Sequence, residues 1–171
     1  MEDNLNPDLN SLPTKRRLKP WHIALPLIIL GVLAFVVPAS PFSAAGKQAS
    51  CLESSKQLMI AMAIYSGDFD DRYPSEQNWR EVSAEYLEGS GKCPMGEFGL
   101  NSAIAGLDAF AIENPGQTPV LFDAGGSTGG AADVQFRHGG QASIGLADGS
   151  SRSFTKDQSD GLAWTPSLLK L

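Results

Sequence analysis

Residues that usually ligate metals or carry acid–base catalysis are scarce in this sequence. It contains two cysteines and two histidines in 171 residues, and His138 is the single histidine that follows position 45. The zinc-protease pattern HExxH is absent. One histidine and two distant cysteines give a zinc site little support from their spacing. We therefore expect no enzymatic activity, no catalytic residues, no metal site and no cofactor.

Positive charge is also scarce in the larger part of the chain. Of the 19 acidic and 13 basic residues, 16 acidic and 9 basic ones follow position 45, so this part has a net charge of −7. Binding of nucleic acid relies on neutralisation of its phosphates by lysine and arginine. The composition therefore argues against a nucleic-acid partner.

Charge is missing altogether from residues 20–45, which follow a basic cluster between Lys15 and Lys19. The apolar centre of this stretch, Trp21–Val37, corresponds to about 25 Å of helix at about 1.5 Å per residue, which is the short end of what crosses a bilayer. Basic residues remain on the cytoplasmic side. We expect a cytoplasmic tail (1–19), a single transmembrane anchor in the inner membrane (20–45) and an extracytoplasmic domain (46–171).

Two other interpretations of residues 20–45 remain open. A secretory signal peptide has a shorter apolar region and ends in small residues, which Ser43-Ala44-Ala45 supply. A buried core helix fits less well, because Pro26, Pro38 and Pro41 interrupt the stretch and it has no polar face. The anchor and the signal peptide both place the rest of the chain outside the cytoplasm.

The two cysteines, Cys51 and Cys93, both lie in the part that we expect to be exported. An oxidising compartment allows them to form a disulfide, and we predict this pairing. Two unpaired buried thiols are the alternative, since free cysteine is readily buried as a small apolar residue.

Residues 47–66 have the spacing of an amphipathic helix. Apolar and small residues recur every three or four positions, at Cys51, Leu52, Ser55, Leu58, Met59, Met62 and Tyr65. We expect this stripe to pack on a sheet and Gly67 to cap the helix. Ser75 is a candidate N-cap for a second, short helix that ends at Leu87.

The second half of the chain has the pattern of short strands. Strand-like runs are predicted at 119–123, 134–138, 142–147 and 151–155, with residues 93–106 between the helices and the first run as a loop. Two-residue turns at Gly139-Gly140 and Asp148-Gly149 are typical of antiparallel hairpins. The fold class expected from these elements is α+β, with a helix on a small antiparallel β-meander and a C-terminal tail, 161–171, that folds back.

Several motifs together resemble a bacterial family of prepilin-type or type II secretion pseudopilin-like proteins. The motifs are the helix segment Ser50-Cys51-Leu52 to Leu58, the acidic loop Asp68 to Pro74, Cys93-Pro94, Asn114-Pro115, Leu121-Phe122-Asp123, and His138 separated by nine residues from Asp148-Gly149. This last spacing is the His-x9-Asp-Gly signature of the family. The resemblance spans about residues 48–154.

The resemblance implies a membrane-anchored, exported, pilin-like domain with no established enzymatic activity. Its partners would be the membrane and other pilin-like or secretion-system proteins. No glycine precedes Trp21 and no glutamate lies in 20–45, where pilins of this type have both. We therefore expect an unprocessed N-terminus and no filament formed by this protein alone.

Asp123, His138, Asp148 and Gly149 are the residues whose role is most open. A serine triad with Ser143, Ser150 or Ser151 requires a nucleophile near His138 on a distinctive strained turn, and a metal site requires ligands that the spacing does not supply. We interpret the four residues as a structural motif in which Asp148-Gly149 forms a hairpin turn and His138 bonds backbone at a strand end.

Three functional hypotheses follow. The first is an envelope protein of pilin-like architecture that acts by assembly or binding in a secretion or pilus-type apparatus. The second is a monomeric membrane-tethered domain that recognises a ligand through the acidic loop and the glycine-rich segment Gly125–Gly130. A hydrolase that uses His138 is the third and has the least support.

Overall fold

A computed structural model describes residues 44–169, apart from residues 88 and 90. These described residues form three α-helices and five β-strands, joined by short 3-10 turns. In chain order they are α1 (Ala44–Asp68), α2 (Trp79–Glu85), β1 (Glu97–Asn101), β2 (Pro119–Ala124), β3 (Thr128–Gly129), β4 (Gln141–Leu146), β5 (Ser151–Thr155) and α3 (Lys156–Asp160).

The five strands form one sheet in the order β3-β1-β2-β4-β5. Neighbouring strands are antiparallel except β1 and β3, which are parallel. Strand β2 lies at the centre and pairs Phe122 with Gly99 of β1 and with Ile144 of β4. All six residues of β2 are buried, because the sheet is covered on both faces.

Helix α1 covers one face of the sheet, mainly over β4 and β5. Its buried positions include Cys51, Ser55, Leu58, Met59 and Met62, which recur at the spacing of one helix face. The helix approaches the sheet closely at Gly145, where a Cβ atom would lie 2.5 Å from Met59 Cγ. Glycine is therefore required at this position for the helix to sit where it does.

The other face of the sheet is covered by the C-terminal segment. Phe122, Ile144 and Leu146 form a buried cluster there, and Trp164 packs edge-to-face on Phe122 with ring centroids 5.1 Å apart. Asn101 Nδ2 donates to the carbonyl oxygen of Trp164 at 2.9 Å. The tail thus folds back on the domain, as the sequence predicts.

The predicted fold class is wrong in its first element. It placed a transmembrane helix ahead of the domain, but no helix in the part of the chain that the structure describes is long and apolar enough to cross a membrane. Ala44 and Ala45, the last two residues of the predicted anchor, belong to α1. Residues 1–43, with the predicted tail and the rest of the anchor, lie outside the described residues.

The predicted antiparallel meander is also too simple, since the sheet is mixed and has two unpredicted strands. Strand β1 lies within the segment predicted as a loop, because Gly99 weakens the strand signal there. The glycine allows close packing on Ala124, since a Cβ added at Gly99 would lie 2.7 Å from the Cβ of Ala124. The predicted strand 134–138 is not formed. Only Val134 bridges to Ala124, because Asp133 accepts from the backbone N–H of Gly130 and closes a 3-10 turn just before it.

Helix boundaries differ slightly from the prediction. Helix α1 passes through Gly67 to Asp68, and the chain reverses at Asp70 and Asp71, whose φ angles are 52° and 59°. Helix α2 is shorter than predicted and begins at Trp79. Ser75 bonds the side chain of Asn78 instead of capping a helix, with Oγ 2.7 Å from Asn78 Oδ1.

Candidate functional site

Asp123 brings a carboxylate into the interior near the end of the central strand. Strand β2 alternates its side chains between the two faces of the sheet, so Asp123 lies on the face that Leu121 shares and Phe122 lies on the other. The backbone N–H of Ser143 in β4 donates to Asp123 Oδ2 at 2.6 Å. This contact joins the carboxylate to the neighbouring strand.

His138 reaches the same place from the turn that leads into β4. Its backbone N–H donates to the carbonyl of Gln141 at 3.0 Å, and the N–H of Gln141 donates back at 3.3 Å. Gly139 and Gly140 between them have φ angles of 64° and 86°, a conformation that glycine adopts without strain. The tight turn holds the His138 side chain against the sheet.

The two side chains form a buried pair beside the disulfide. His138 Nε2 lies 3.0 Å from Asp123 Oδ2, and the side chains are 1% and 0% exposed. Cys51 of α1 is bonded to Cys93, with Cα atoms 4.3 Å apart, and Cys93 Sγ lies 3.8 Å from the same His138 nitrogen. The pair and the disulfide thus meet at one point between helix α1 and the sheet.

The polar groups of this cluster are incompletely satisfied. Asp123 Oδ1, His138 Nδ1 and Ser143 Oγ have no hydrogen-bond partner among the described residues. Burial raises the pKa of the Asp123 carboxyl above its usual range, while the hydrogen bond from Ser143 and the neighbouring His138 act in the opposite direction. Buried polar atoms without partners are costly and uncommon, so the cluster is an unusual feature of this core.

Asp148 and Gly149 lie at the other end of β4 and do not join this cluster. Six residues of strand β4 separate the two turns, which is roughly 20 Å at about 3.3 Å per residue. Asp148 Oδ1 accepts from the N–H of Ser150 at 2.9 Å, and Gly149 has a φ of 83°. The His-x9-Asp-Gly spacing therefore describes the two ends of one strand, and its residues do not form one catalytic site.

A cleft of about 300 Å³ opens beside the Asp148-Gly149 turn. Met59, Tyr73 and Ala147 line its inner part, and Asp71 of the acidic loop and the exposed Phe110 lie at its edge. Burial, with a smaller contribution from the charge of Asp148, raises the pKa of Tyr73 to about 12. The tyrosine is thus a neutral hydroxyl in an acidic cleft at neutral pH.

The glycine-rich loop after β2 contains Gly125-Gly126-Ser127-Thr128-Gly129, which has the GxSxG spacing found around some catalytic serines. Its structure differs from a nucleophile elbow, because Ser127 leads into the two-residue strand β3 and not into a helix. Ser127 Oγ accepts from Trp79 Nε1 and Arg80 Nε, each at 3.1 Å. No histidine or carboxylate contacts this hydroxyl in the described part of the chain. The loop instead holds helix α2 in place through these hydrogen bonds.

The structure therefore brings together Asp123, His138 and both cysteines, and it separates Asp148 and Gly149 from them. The sequence predicts the pairing of the cysteines but not their position beside His138. It also does not predict the backbone contact from Ser143 or the cleft at Tyr73. The spacing of Asp123 and Ser143 carries no local signal for their contact, because the contact depends on the pairing of β2 with β4.

Comparisons of the chain with protein-family models, with curated proteins and with solved structures found no match. The pilin-like resemblance of the sequence therefore stays a prediction.

Proposed function

We propose that the described domain is an exported, pilin-like protein that acts by assembly or binding and has no catalytic role. The observation that carries this proposal is an apolar patch on the outer face of α1. Ile60 and Ile64 are 59% and 45% exposed, and residues four apart lie next to each other on a helix surface. Most isoleucines are buried in a folded domain, so a paired exposure on one face needs an explanation.

The patch continues into a cleft of about 300 Å³ between the two helices, lined by Gln57, Ile60, Ile64 and Tyr86. An apolar groove beside a helix suits a second helix that inserts side chains at four-residue spacing. We propose helix α1 of another pilin-like subunit as the occupant. This choice agrees with the resemblance of the sequence to proteins whose subunits pack along this helix.

Export is supported by the disulfide between Cys51 and Cys93, since disulfides persist in oxidising compartments and are rare in the cytosol. A non-catalytic role is supported by the burial of the only described histidine. His138 and Asp123 are almost completely covered, and a general base must come within hydrogen-bond distance of the substrate proton that it removes.

Photo-crosslinking tests assembly through α1. A photoreactive amino acid at position 60 should give cross-links to a pilin-like subunit in intact cells, and one at position 64 should give the same partner. A photoreactive amino acid at position 113, an exposed residue on the loop after β1, is the control and should give none. Equal cross-linking from position 113, or none from positions 60 and 64, would contradict the proposal.

The cleft at the Asp148-Gly149 turn favours a second candidate, a ligand-binding domain. Asp71 and Asp148 surround an apolar floor, which suits a small ligand with a cationic group. The glycine-rich segment does not take part in this cleft, since Ser127 contacts helix α2. Saturable binding of a cationic ligand by calorimetry, lost in Asp148→Asn and kept in Ile60→Ala, would favour this function over assembly.

A further inference from the structure

The buried cluster between α1 and the sheet places several atoms that can bind a metal close together. The sulfurs of Cys51 and Cys93 and a ring nitrogen of His138 all lie within 4.8 Å of one another, and all three residues are buried. A carboxylate oxygen of Asp123 lies 3.0 Å from the same histidine. Two sulfurs, one nitrogen and one oxygen therefore surround one small region.

We propose that reduction of the Cys51–Cys93 disulfide creates a tetrahedral zinc site made by both thiolates, His138 Nε2 and Asp123 Oδ2. A dithiol reductant supplies two electrons and two protons to the disulfide and becomes a disulfide itself. The two thiols then release two protons as their sulfurs bind Zn²⁺. Thiolate, imidazole and carboxylate are all ordinary zinc ligands. This inference does not rest on assembly through α1.

Two separations from His138 Nε2 are close to those of such a site. Bonds of about 2.3 Å to sulfur and about 2.0 Å to nitrogen and oxygen, in a tetrahedron, put sulfur and nitrogen about 3.5 Å apart and nitrogen and oxygen about 3.3 Å apart. The observed separations from His138 Nε2 are 3.8 Å to Cys93 Sγ and 3.0 Å to Asp123 Oδ2. The two sulfurs must move apart, which breaking their bond permits.

The protonation of His138 also allows metal binding. Zinc requires an unprotonated Nε2, so the ring proton must lie on Nδ1. Nδ1 has no hydrogen-bond partner among the described residues, so the ring proton can be placed there. The contact between Nε2 and Asp123 Oδ2 is then replaced by bonds from both atoms to the metal. The bound cation would also neutralise the buried Asp123 carboxylate, whose burial is otherwise costly.

One residue of the cluster borders an open cleft. A cleft of about 180 Å³ is lined by Cys93 together with Arg80, Gly96, Glu97 and Phe98. Cys93 lies in a turn outside the helices and strands, closed by a bridge to Gly96. Cys93 is 5% exposed and Cys51 is fully buried, so a reductant or a metal ion would approach the disulfide from the side of Cys93.

Cobalt binding to the full-length protein tests the site. The protein is reduced with a dithiol, which is then removed under anaerobic conditions, and Co²⁺ is titrated as a spectroscopic probe. We expect one equivalent to give thiolate-to-cobalt charge-transfer bands and the strong visible bands of tetrahedral cobalt, and Zn²⁺ to displace it. The oxidised protein should give neither the charge-transfer bands nor the visible bands of tetrahedral cobalt.

Variants assign the ligands. Cys51→Ser and Cys93→Ser should each reduce the charge-transfer band, and His138→Gln should abolish the tetrahedral spectrum. Asp123→Asn should weaken Zn²⁺ binding by about tenfold or more. Asp148→Asn is the matched control, since it removes a carboxylate at the far end of β4, and it should leave the spectrum unchanged. An unchanged spectrum in His138→Gln would overturn the proposal.

Circular dichroism tests the site if the protein loses its structure when the disulfide is reduced. If the reduced protein is unfolded by circular dichroism, Zn²⁺ should restore the native spectrum, because binding to a site that exists only in the folded state is linked to folding. Failure of Zn²⁺ to restore the fold, or a folded reduced protein without cobalt bands, would overturn the site.

Discussion

At the scale of single residues, the His138–Asp123 pair should matter far more to stability than an exposed ion pair. Removing one partner of a buried pair leaves the other uncompensated, at a cost of about 3–5 kcal/mol. We therefore expect His138→Ala to lower the free energy of unfolding by about that amount, measured by urea denaturation of the oxidised protein.

The matched comparison is Arg152→Ala. Arg152 Nη2 lies 3.7 Å from Asp148 Oδ2, with side chains 57% and 35% exposed, and exposed ion pairs contribute about 0–1 kcal/mol. Similar losses in the two variants would show that His138 is not part of a buried pair that stabilises the core.

Tyr73 should produce a distinct loss of stability at alkaline pH. Its pKa is raised to about 12 in the folded protein, against about 10 in an unfolded chain. The unfolded state therefore releases this proton first, and stability should fall as pH rises from about 10 to about 12. Below pH 10 both states keep the proton, and the tyrosine makes no pH-dependent contribution.

Thermal unfolding of the wild type and of Tyr73→Phe at a series of alkaline pH values measures this contribution. Phenylalanine fills the same space without an ionisable group, so the variant should lose less stability over this interval. Parallel curves for the two proteins would contradict the assignment of the raised pKa to Tyr73.

At the scale of elements, the close approach of α1 to β4 depends on Gly145. An added Cβ would lie 2.5 Å from Met59 Cγ and 2.6 Å from its sulfur, and Met59 is itself buried. Overpacking of a filled core costs about 1–3 kcal/mol. We expect Gly145→Ala to destabilise the protein by that amount in chemical denaturation.

Gly130→Ala is the control for Gly145→Ala. Nothing lies within 4 Å of a Cβ at Gly130, and its φ of −149° is open to any residue. This change should alter stability by less than about 0.5 kcal/mol. A large loss at Gly130 or none at Gly145 would show that helix packing does not set the requirement for glycine.

The elements that the sequence predicts well are those with a long or regular pattern. The stripe from Cys51 to Met62 repeats over several turns and predicts both α1 and its buried face. Strands β4 and β5 are joined by a turn whose Asp-Gly pair has a clear signal. The sequence does not predict strand β1, because five residues with a central glycine give little periodicity. The strand lies between β3 and β2, and this position in the sheet cannot be read from its own residues.

The predicted strand at 134–138 shows a different limit of the sequence. Val134 and His138 are buried, Phe136 is half-buried and Gln135 is exposed, so the burial follows the alternation of the sequence. The backbone still does not pair as a strand, because Arg137 N–H bonds the carbonyl of Gln135 at 3.0 Å in a tight turn. Side-chain periodicity reports burial, and it does not report the partner of each backbone group.

Which residues meet in the buried cluster depends on contacts between distant parts of the chain, and no local sequence pattern encodes them. Cys93 and His138 are 45 residues apart, and Asp123 and Ser143 are 20 apart. These neighbours follow from the order of strands and from the path of the loop before β1. The sequence indicates which residues are chemically capable, and the topology determines which of them meet.

At the scale of the whole molecule, four parts of the chain are joined at the buried cluster. The disulfide ties α1 to the loop before β1, and the His138–Asp123 contact ties the turn before β4 to the central strand. The covalent tie closes a segment with a sequence separation of 42, which corresponds to about 4 kcal/mol of stabilisation in the chain-entropy model. We expect the disulfide to be one of the two largest single contributions to stability, together with the His138–Asp123 pair.

The double variant Cys51→Ala, Cys93→Ala should therefore unfold at a temperature roughly 10–20 °C below that of the oxidised wild type, measured by calorimetry on the full-length protein. Ser54→Ala provides the comparison, because Ser54 Oγ donates to the carbonyl of Lys92 at 3.0 Å and joins the same two segments without a covalent bond. A net contribution of about 0.5–1.5 kcal/mol is usual for such a hydrogen bond. If the double variant loses no more than Ser54→Ala, the fold is held by packing of α1 on the sheet, and the covalent tie adds little to it.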